Sequence, residues 1–330
     1  MFKKELNLIG TIRCRISSGF LAFPLWLFSF WRQQEGLPLL TNIASAGVIV
    51  ISTGSVTLAD APSNKDASQN TLASVVSRQR AQLNRAALLE MSGPQSPRDI
   101  TNPEGSNRTV FGNAPNRRLM NLCNIHFHDG AEHRGSEFNR YAGNTDGSGY
   151  ESGYLYSGQL TRDELKPLAM NRGSDGHRTL QPGSTIEIHY VYTTANVKPG
   201  STLASCHSPE HRNPQLRVEA VIAVLVNNRR AANFSTITRL SKGNGYHSAP
   251  SLPDNLGTPV VYSGSTTGPS YNTRPSPYQV TWSVRPKVLK VDALSVDEWL
   301  RSNQFKEDHA HGVRNLIINP ALLSRIQPVN

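Results

Sequence analysis

Cysteine is nearly absent, with three in 330 residues. Hydrophobic residues reach only 37%, low for a compact cytosolic enzyme and in keeping with a loop-rich, mostly β chain. Several motifs are missing. No G-x-S-x-G elbow occurs, which removes the usual strand-turn-helix serine nucleophile. The run GNTDGSGYESGY is rich in glycine, but no Lys-Ser/Thr and no helical pattern follow it. It reads as a hairpin or long surface loop, not a phosphate cradle. No internal repeat is present. The balance is basic, +10 at pH 7, yet the Lys and Arg are dispersed and aromatics do not interleave with them. No nucleic-acid motif accompanies them, so a nucleic-acid partner is not expected. Residues 62–125 contain no histidine.

What is present begins with two apolar stretches near the N-terminus. FLAFPLWLFSFW follows Lys3, Lys4, Arg13 and Arg15, and is short for a membrane span of roughly 20 residues. LPLLTNIASAGVIVISTGSVTLADA ends in small residues and reads as a signal core with a cleavage zone after Ala59. Residues 1–59 are therefore expected to be a signal peptide, with an uncleaved anchor as the alternative and the sole expected membrane contact. Export to a periplasmic or extracellular compartment follows. Cys14 leaves with the leader, and Cys123 and Cys206 remain as one pair, expected to form a disulfide in an oxidising compartment.

Residues 60–115 read as a polar arm with one helix, from about Ser68 to Met91, followed by irregular chain. From Leu119 on, LCNIHFH, GYLYSGQL, STIEIHYVYTT, LRVEAVIAVLV and YQVTWSVRPKVLKV are β-branched or aromatic and bounded by turn residues. Loops rather than helical patterns separate them. That predicts a mainly β domain over 116–330, a large antiparallel twisted sheet with peripheral helices. VEAVIAVLV is apolar on both faces and should be a central strand. SVDEWLRSNQF is the late helix, with Ser295 as its cap and Glu298 at the capping-box position.

The chemistry concentrates in two strands. NIHFH sets His126 and His128 on one face, opposite Ile125 and Phe127. STIEIHYVYTT alternates in the same way: Ile186, Ile188, Tyr190 and Tyr192 on one face; Glu187, His189 and Val191 on the other. Inward-facing Glu and His among core residues are unfavourable unless paired or ligating. If the two strands are neighbours, His126, His128 and His189 converge on one metal. Three imidazoles with a fourth position open are a catalytic zinc set. Glu187 would fix a ligand's tautomer. A second His-x-His, at His309 and His311, offers a rival metal site with Asp308, but the flanking Ala310, Gly312 and acids read more like a loop.

HFH, Glu132–His133, EIHYV, STTGPS and VTW occur in that order. In these five elements the chain from about Leu119 to Leu323 resembles the δ-class carbonic anhydrases, with a motif order similar to the α class. The resemblance implies an α-carbonic-anhydrase-like fold and reversible hydration of CO2 to bicarbonate. It implies zinc on His126, His128 and His189, with Co2+ or Cd2+ as substitutes. By position, Thr266 would accept a hydrogen bond from zinc-bound hydroxide and donate to Glu132, and Thr267 would help hold bicarbonate. Val191, Val221 and Trp282 would wall the CO2 pocket, with His133 and Glu187 supporting the ligands. The upstream shuttle histidine of the α class has no counterpart; His177, His207, His211 and His247 are the candidates to replace it. A zinc esterase and a non-catalytic binding module remain as alternatives.

Overall fold

Alternating residues along β1 (Asn121–Asp129) and β4 (Thr185–Thr193) create one polar and one apolar side, and the rest of the sheet is assembled around that division. The computed structural model describes residues 64–144, 149–170, 180–266 and 270–327. The expected leader, 1–59, lies outside the described residues. The described residues belong to one compact unit, 59–330.

A 26-residue helix, α1 (Asn64–Leu89), precedes the sheet. Its Leu83 and Ala87, one turn apart, pack on Ile317, Leu322 and Leu323. Residues 92–115 have no helix, as the turn-rich sequence predicts, but they are tied to the sheet. Gln95 Oε1 accepts from Ser276 N at 2.8 Å, Ser96 Oγ accepts from Ser265 N at 3.2 Å, and Ala114 N donates to Thr281 Oγ1 at 2.7 Å.

The described ends of the Gly-rich run belong to two paired antiparallel strands, β2 (Arg140–Asn144) and β3 (Ser152–Leu155). β5 (Leu216–Val226) is central, as its two apolar faces predict. After the single turn α2 (Phe234–Ile237) come a small hairpin, β6 (Ser241–Gly243) and β7 (Tyr246–Ser248), then β8 (Val260–Ser265), β9 (Gln279–Val284) and β10 (Leu289–Asp292). The main sheet runs β1-β4-β5-β9-β8, with β10 also beside β5.

The sheet is mixed rather than wholly antiparallel. β1, β4 and β5 pair antiparallel, as do β8 and β9, but β9 and β10 are parallel to β5. β9 takes β5 from Leu216 to Ala220 and β10 takes it from Ala223 to Val226. A parallel pair requires a long crossover. Here residues 227–278 supply one, containing β8 and almost no helix, so no βαβ pattern announces it. α3 spans Ala293–Arg301. Ser295 is inside this helix, not at its cap: Asp292 holds the cap position, and Ser295 Oγ donates to the Asp292 carbonyl at 2.7 Å.

Each face has its own core. Ile125, Phe127, Ile186, Ile188, Tyr190, Tyr192, Val221 and Ala223 pack with Phe234 and Trp299. Val191, Val218, Ala220, Ile222, Tyr262, Val280, Trp282 and Val284 fill the other side. The histidines share this second face.

Candidate metal centre

Register brings the two histidine strands together. His126 stands opposite His189 and His128 opposite Glu187. On the far side of β4, His189 faces Ala220, whose methyl side chain leaves room for the ring. The centroids of the three rings are 5.3 Å (126–128), 5.1 Å (126–189) and 4.6 Å (128–189) apart.

One nitrogen of each ring is already occupied. His126 Nδ1 donates to Asn124 Oδ1 at 2.6 Å, and Asn124 is oriented by its own amide donating to the Gly200 carbonyl at 3.0 Å. His128 Nδ1 donates to the Gly312 carbonyl at 3.0 Å. His189 Nε2 donates to Glu187 Oε1 at 2.9 Å. A carbonyl or carboxylate oxygen only accepts, so the protons are assigned to these nitrogens. The lone pairs then belong to Nε2 of His126 and His128 and Nδ1 of His189. Nε2 of His126 and Nδ1 of His189 are 3.3 Å apart. Two ring nitrogens facing each other at that distance are satisfied by a cation or a shared proton between them. A tetrahedral ion with bonds of about 2.0–2.1 Å sets its ligand nitrogens roughly 3.3–3.4 Å apart. The His126–His189 pair matches that spacing.

Glu187 is the joint of the supporting network. It is buried, and Oε1 also accepts from His133 Nδ1 at 2.6 Å while Oε2 accepts from His133 N at 3.0 Å. His133 Nε2 lies 2.7 Å from the Tyr262 hydroxyl, which is 3.2 Å from Ser96 Oγ. Burial works to raise the Glu187 pKa, but the charge and hydrogen bond of His133, then His189, hold it well below the usual carboxylate range. Glu132 is also buried. Burial pushes its pKa up, and His128 and His189 pull it below its ordinary value. His128 is pushed down to about 4, chiefly by burial and against the pull of Glu132. His126 is held well below the ordinary imidazole value by loss of water, then by its histidine neighbours.

Glu132 reaches the centre because Gly130 turns the chain after β1 with φ of 114°. A side chain there would be strained, and its Cβ would stand 2.1 Å from the Ser152 carbonyl oxygen. Glu132 Oε1 accepts from Arg314 N at 3.0 Å and lies 3.4 Å from His128 Nδ1. One donor atom each from His128, Glu132 and His189 lie within 4.8 Å of one another.

The sequence profile of the delta carbonic anhydrase family matches residues 117–295, more than half of the chain. The chain belongs to the delta carbonic anhydrase family. No curated protein matches it. Among solved structures, an alpha-carbonic anhydrase of Photobacterium profundum is 15% identical, covering 68% of this chain and 86% of its own, with a TM-score of 0.25. A hyperthermostable carbonic anhydrase identified from an active hydrothermal vent chimney is 13% identical, covering 72% of this chain and 90% of its own, with a TM-score of 0.26.

In this delta carbonic anhydrase, Trp282 and Val191 lie on the histidine face. The Trp282 ring is 5.0 Å from that of His189 and 4.8 Å from that of His133. Val191 pairs with Asn124 on one side and Val218 on the other. Val221 does not join them. It pairs with Ile188 and packs in the opposite core, because the strand period of two puts odd and even residues of β5 on different faces. Val218 and Ala220 are the β5 residues that pack with Val191 and Trp282. Thr266 is buried just past β8, and its N donates to the Tyr278 carbonyl at 3.1 Å. Among the described residues no hydrogen bond joins Thr266 to Glu132. Thr267 and His177 lie outside the described residues. Cys123, at a bulge in β1, is bonded to Cys206.

Sequence reading missed four residues that line or support the site: Asn124 and Tyr262 come from strands, and Glu307 and Gly312 from the C-terminal segment; His311, read there as part of a loop, also lies beside it. Asn124 shares the face of His126 two residues on, a signal that strand alternation already carried. The backbone carbonyl of Gly312 leaves no trace in a sequence. His311 and His128 are joined by a parallel bridge, with His311 N donating to the Phe127 carbonyl at 2.8 Å. A cavity of about 370 Å³ opens over this end of the site, lined by His128, Tyr150, Tyr271, His309, His311 and Gly312. None of His207, His211 and His247 lines it.

Proposed function

We propose that this chain is a zinc enzyme that hydrates CO2 reversibly to bicarbonate and a proton. The observation that carries the reading is the 3.3 Å approach of His126 Nε2 and His189 Nδ1, each with its other nitrogen already engaged. Together with His128 they would hold the ion and leave one position open. Zinc when bound supplies the Lewis acidity that ionises water at neutral pH. Everything else falls to the chain. Asn124, the Gly312 carbonyl and Glu187 keep the three tautomers fixed. His133 holds Glu187 and in turn leans on Tyr262. We assign orientation of the reacting water to Thr266 and Glu132, and bicarbonate contact to Thr267. Arg314 N–H fixes the Glu132 carboxylate, and Ser96 and Gln95 pin the end of β8 from which Thr266 emerges. CO2 has neither charge nor donors, so Val191 and Trp282, with Val218 and Ala220, suit it as an apolar wall. The disulfide favours an oxidising compartment, which supports export. No helix among the described residues is long and apolar enough to cross a membrane.

Stopped-flow CO2 hydration by the chain, with metal analysis, tests this. The expected result is close to one zinc per chain and hydration well above the buffer rate. His189→Ala should lose both. Hydration no faster than buffer with zinc bound would remove the catalytic claim, and full zinc content in the variant would remove the ligand assignment.

A further inference from the structure

The sheet face opposite the histidines turns polar at one end. On β5, Arg217 and Glu219 share the side that carries Val221 and Ala223 further along. A cavity of about 510 Å³ opens there, and its charged lining is Arg117, Arg118, Arg217, Glu219, Asp254 and Arg285. Four guanidinium groups meet two carboxylates, a surplus of two positive charges. Val218 and Ala220, which alternate with Arg217 and Glu219, pack on the histidine side. The sheet therefore stands between this cavity and the metal centre.

The two carboxylates are already used. Glu219 Oε1 accepts from Arg217 Nε at 2.5 Å, and Oε2 accepts from Arg285 Nη1 at 3.0 Å. Asp254 accepts from Arg285 Nη2 at 3.0 Å and from Arg117 Nη2 at 2.7 Å. Each carboxylate thus lies between two guanidinium groups. Arg285 is the floor: its side chain is 2% exposed, and its Nε donates to the Pro253 carbonyl at 2.6 Å. The rim differs. Among the described residues, nothing accepts from Nη1 or Nη2 of Arg217 or from the Arg118 guanidinium. The Arg217 side chain is only 12% exposed, so its outer fork has lost most of its water without gaining a protein acceptor. A charge in that position is stabilised by a partner that supplies oxygen lone pairs.

We propose that this cavity is a binding site for a small dianionic oxyanion, a phosphate or a dicarboxylate. Two negative charges balance the surplus of the lining. The forks of Arg118 and Arg217 suit paired oxygens, because a guanidinium meets phosphate or carboxylate through two parallel hydrogen bonds. The volume lies within the range of small-molecule pockets, roughly 300–1,000 Å³, so the anionic group can carry an organic remainder. An anion held here does not compete for the metal, and the site does not depend on the metal reading above.

Isothermal titration of the full chain with inorganic phosphate, and in parallel with malonate, reads the site at an ionic strength held constant with sodium chloride. The expected result is saturable binding of one dianion per chain. Arg118→Gln breaks no side-chain hydrogen bond among the described residues, so the variant should fold as the wild type does. It should weaken the dianion on the order of tenfold. Arg217→Lys keeps the charge but loses the fork, and should weaken it as well. The tighter of phosphate and malonate names the chemistry of the ligand. No saturable binding of either overturns the proposal. So does binding that Arg118→Gln and Arg217→Lys leave unchanged, which would put the anion at the metal centre or elsewhere. Nitrate bound as tightly as the dianions would overturn the match of charge.

Discussion

Two regions build this centre by different physics. His126, His128, Glu187 and His189 sit on neighbouring strands, where pairing on both edges of β4 fixes every Cβ. Glu307, His311, Gly312 and Arg314 sit on a segment with no strand of its own, joined to β1 through the single bridge at His311. The strands set the donors; the segment supplies what backbone groups do best, the carbonyl on His128 and the N–H on Glu132. The comparison breaks most sharply at Glu187, which belongs wholly to the strand side. Glu187→Gln keeps the shape but removes the charge that accepts from His133 and His189, so a buried hydrogen-bond network loses its centre. Hydrogen bonds to a charged group are worth roughly 1.5–3 kcal/mol each. Urea unfolding of the metal-free protein should register a loss of that order, with weaker zinc retention. Glu307→Gln, on the segment side, should leave metal-free stability nearly unchanged. Equal losses in the two variants would erase the distinction.

His128 belongs to both regions, since its ring lies on the strand face and its Nδ1 is held by the segment. Its pKa in the folded chain is about 4, against 6.5 for a free imidazole. The folded state therefore binds fewer protons between these values, and stability falls as pH drops through that window. The stabilisation is complete above pH 6.5 and is lost by about pH 4. At 1.36 kcal/mol per unit this is about 3 kcal/mol. His126 is shifted in the same direction and adds to the loss. The expected measurement is a steady fall in metal-free unfolding free energy from pH 7 to pH 4. A flat profile over that range would show that the histidines are not buried as described.

The strand side was legible because alternation is a two-residue rule that needs no knowledge of the partner. It placed Glu187 and His189 on one face and Ile186, Ile188, Tyr190 and Tyr192 on the other, as found. The segment side was not. DHAHG carries no period, and the role of Gly312 lies in a carbonyl that every residue possesses. The parallel pairs of β5 were hidden for a related reason. Helices between strands mark a crossover in sequence, whereas here loops and β8 make the connection. Ser295 looked like a cap because Ser followed by Glu three residues later is a capping signature; the helix begins two residues earlier, at Ala293, after Asp292.

Val221 offers the smallest test and separates the two faces of one strand. It is fully buried against Ile188, one residue from Ala220, which adjoins His189. Val221→Ala removes two methyl groups from the core that contains Phe127 and Trp299. Lost burial of about 0.8 kcal/mol per carbon, with a cavity term added, gives roughly 2 kcal/mol. Zinc affinity should not change, because the strand pairing that sets the histidines is untouched. Val191→Ala removes the same atoms from the histidine face, and we expect a similar stability loss accompanied by a raised KM for CO2. A raised KM in Val221→Ala as well, at unchanged zinc content, would mean that the sheet transmits packing defects from one face to the other, and the two cores could no longer be treated as independent.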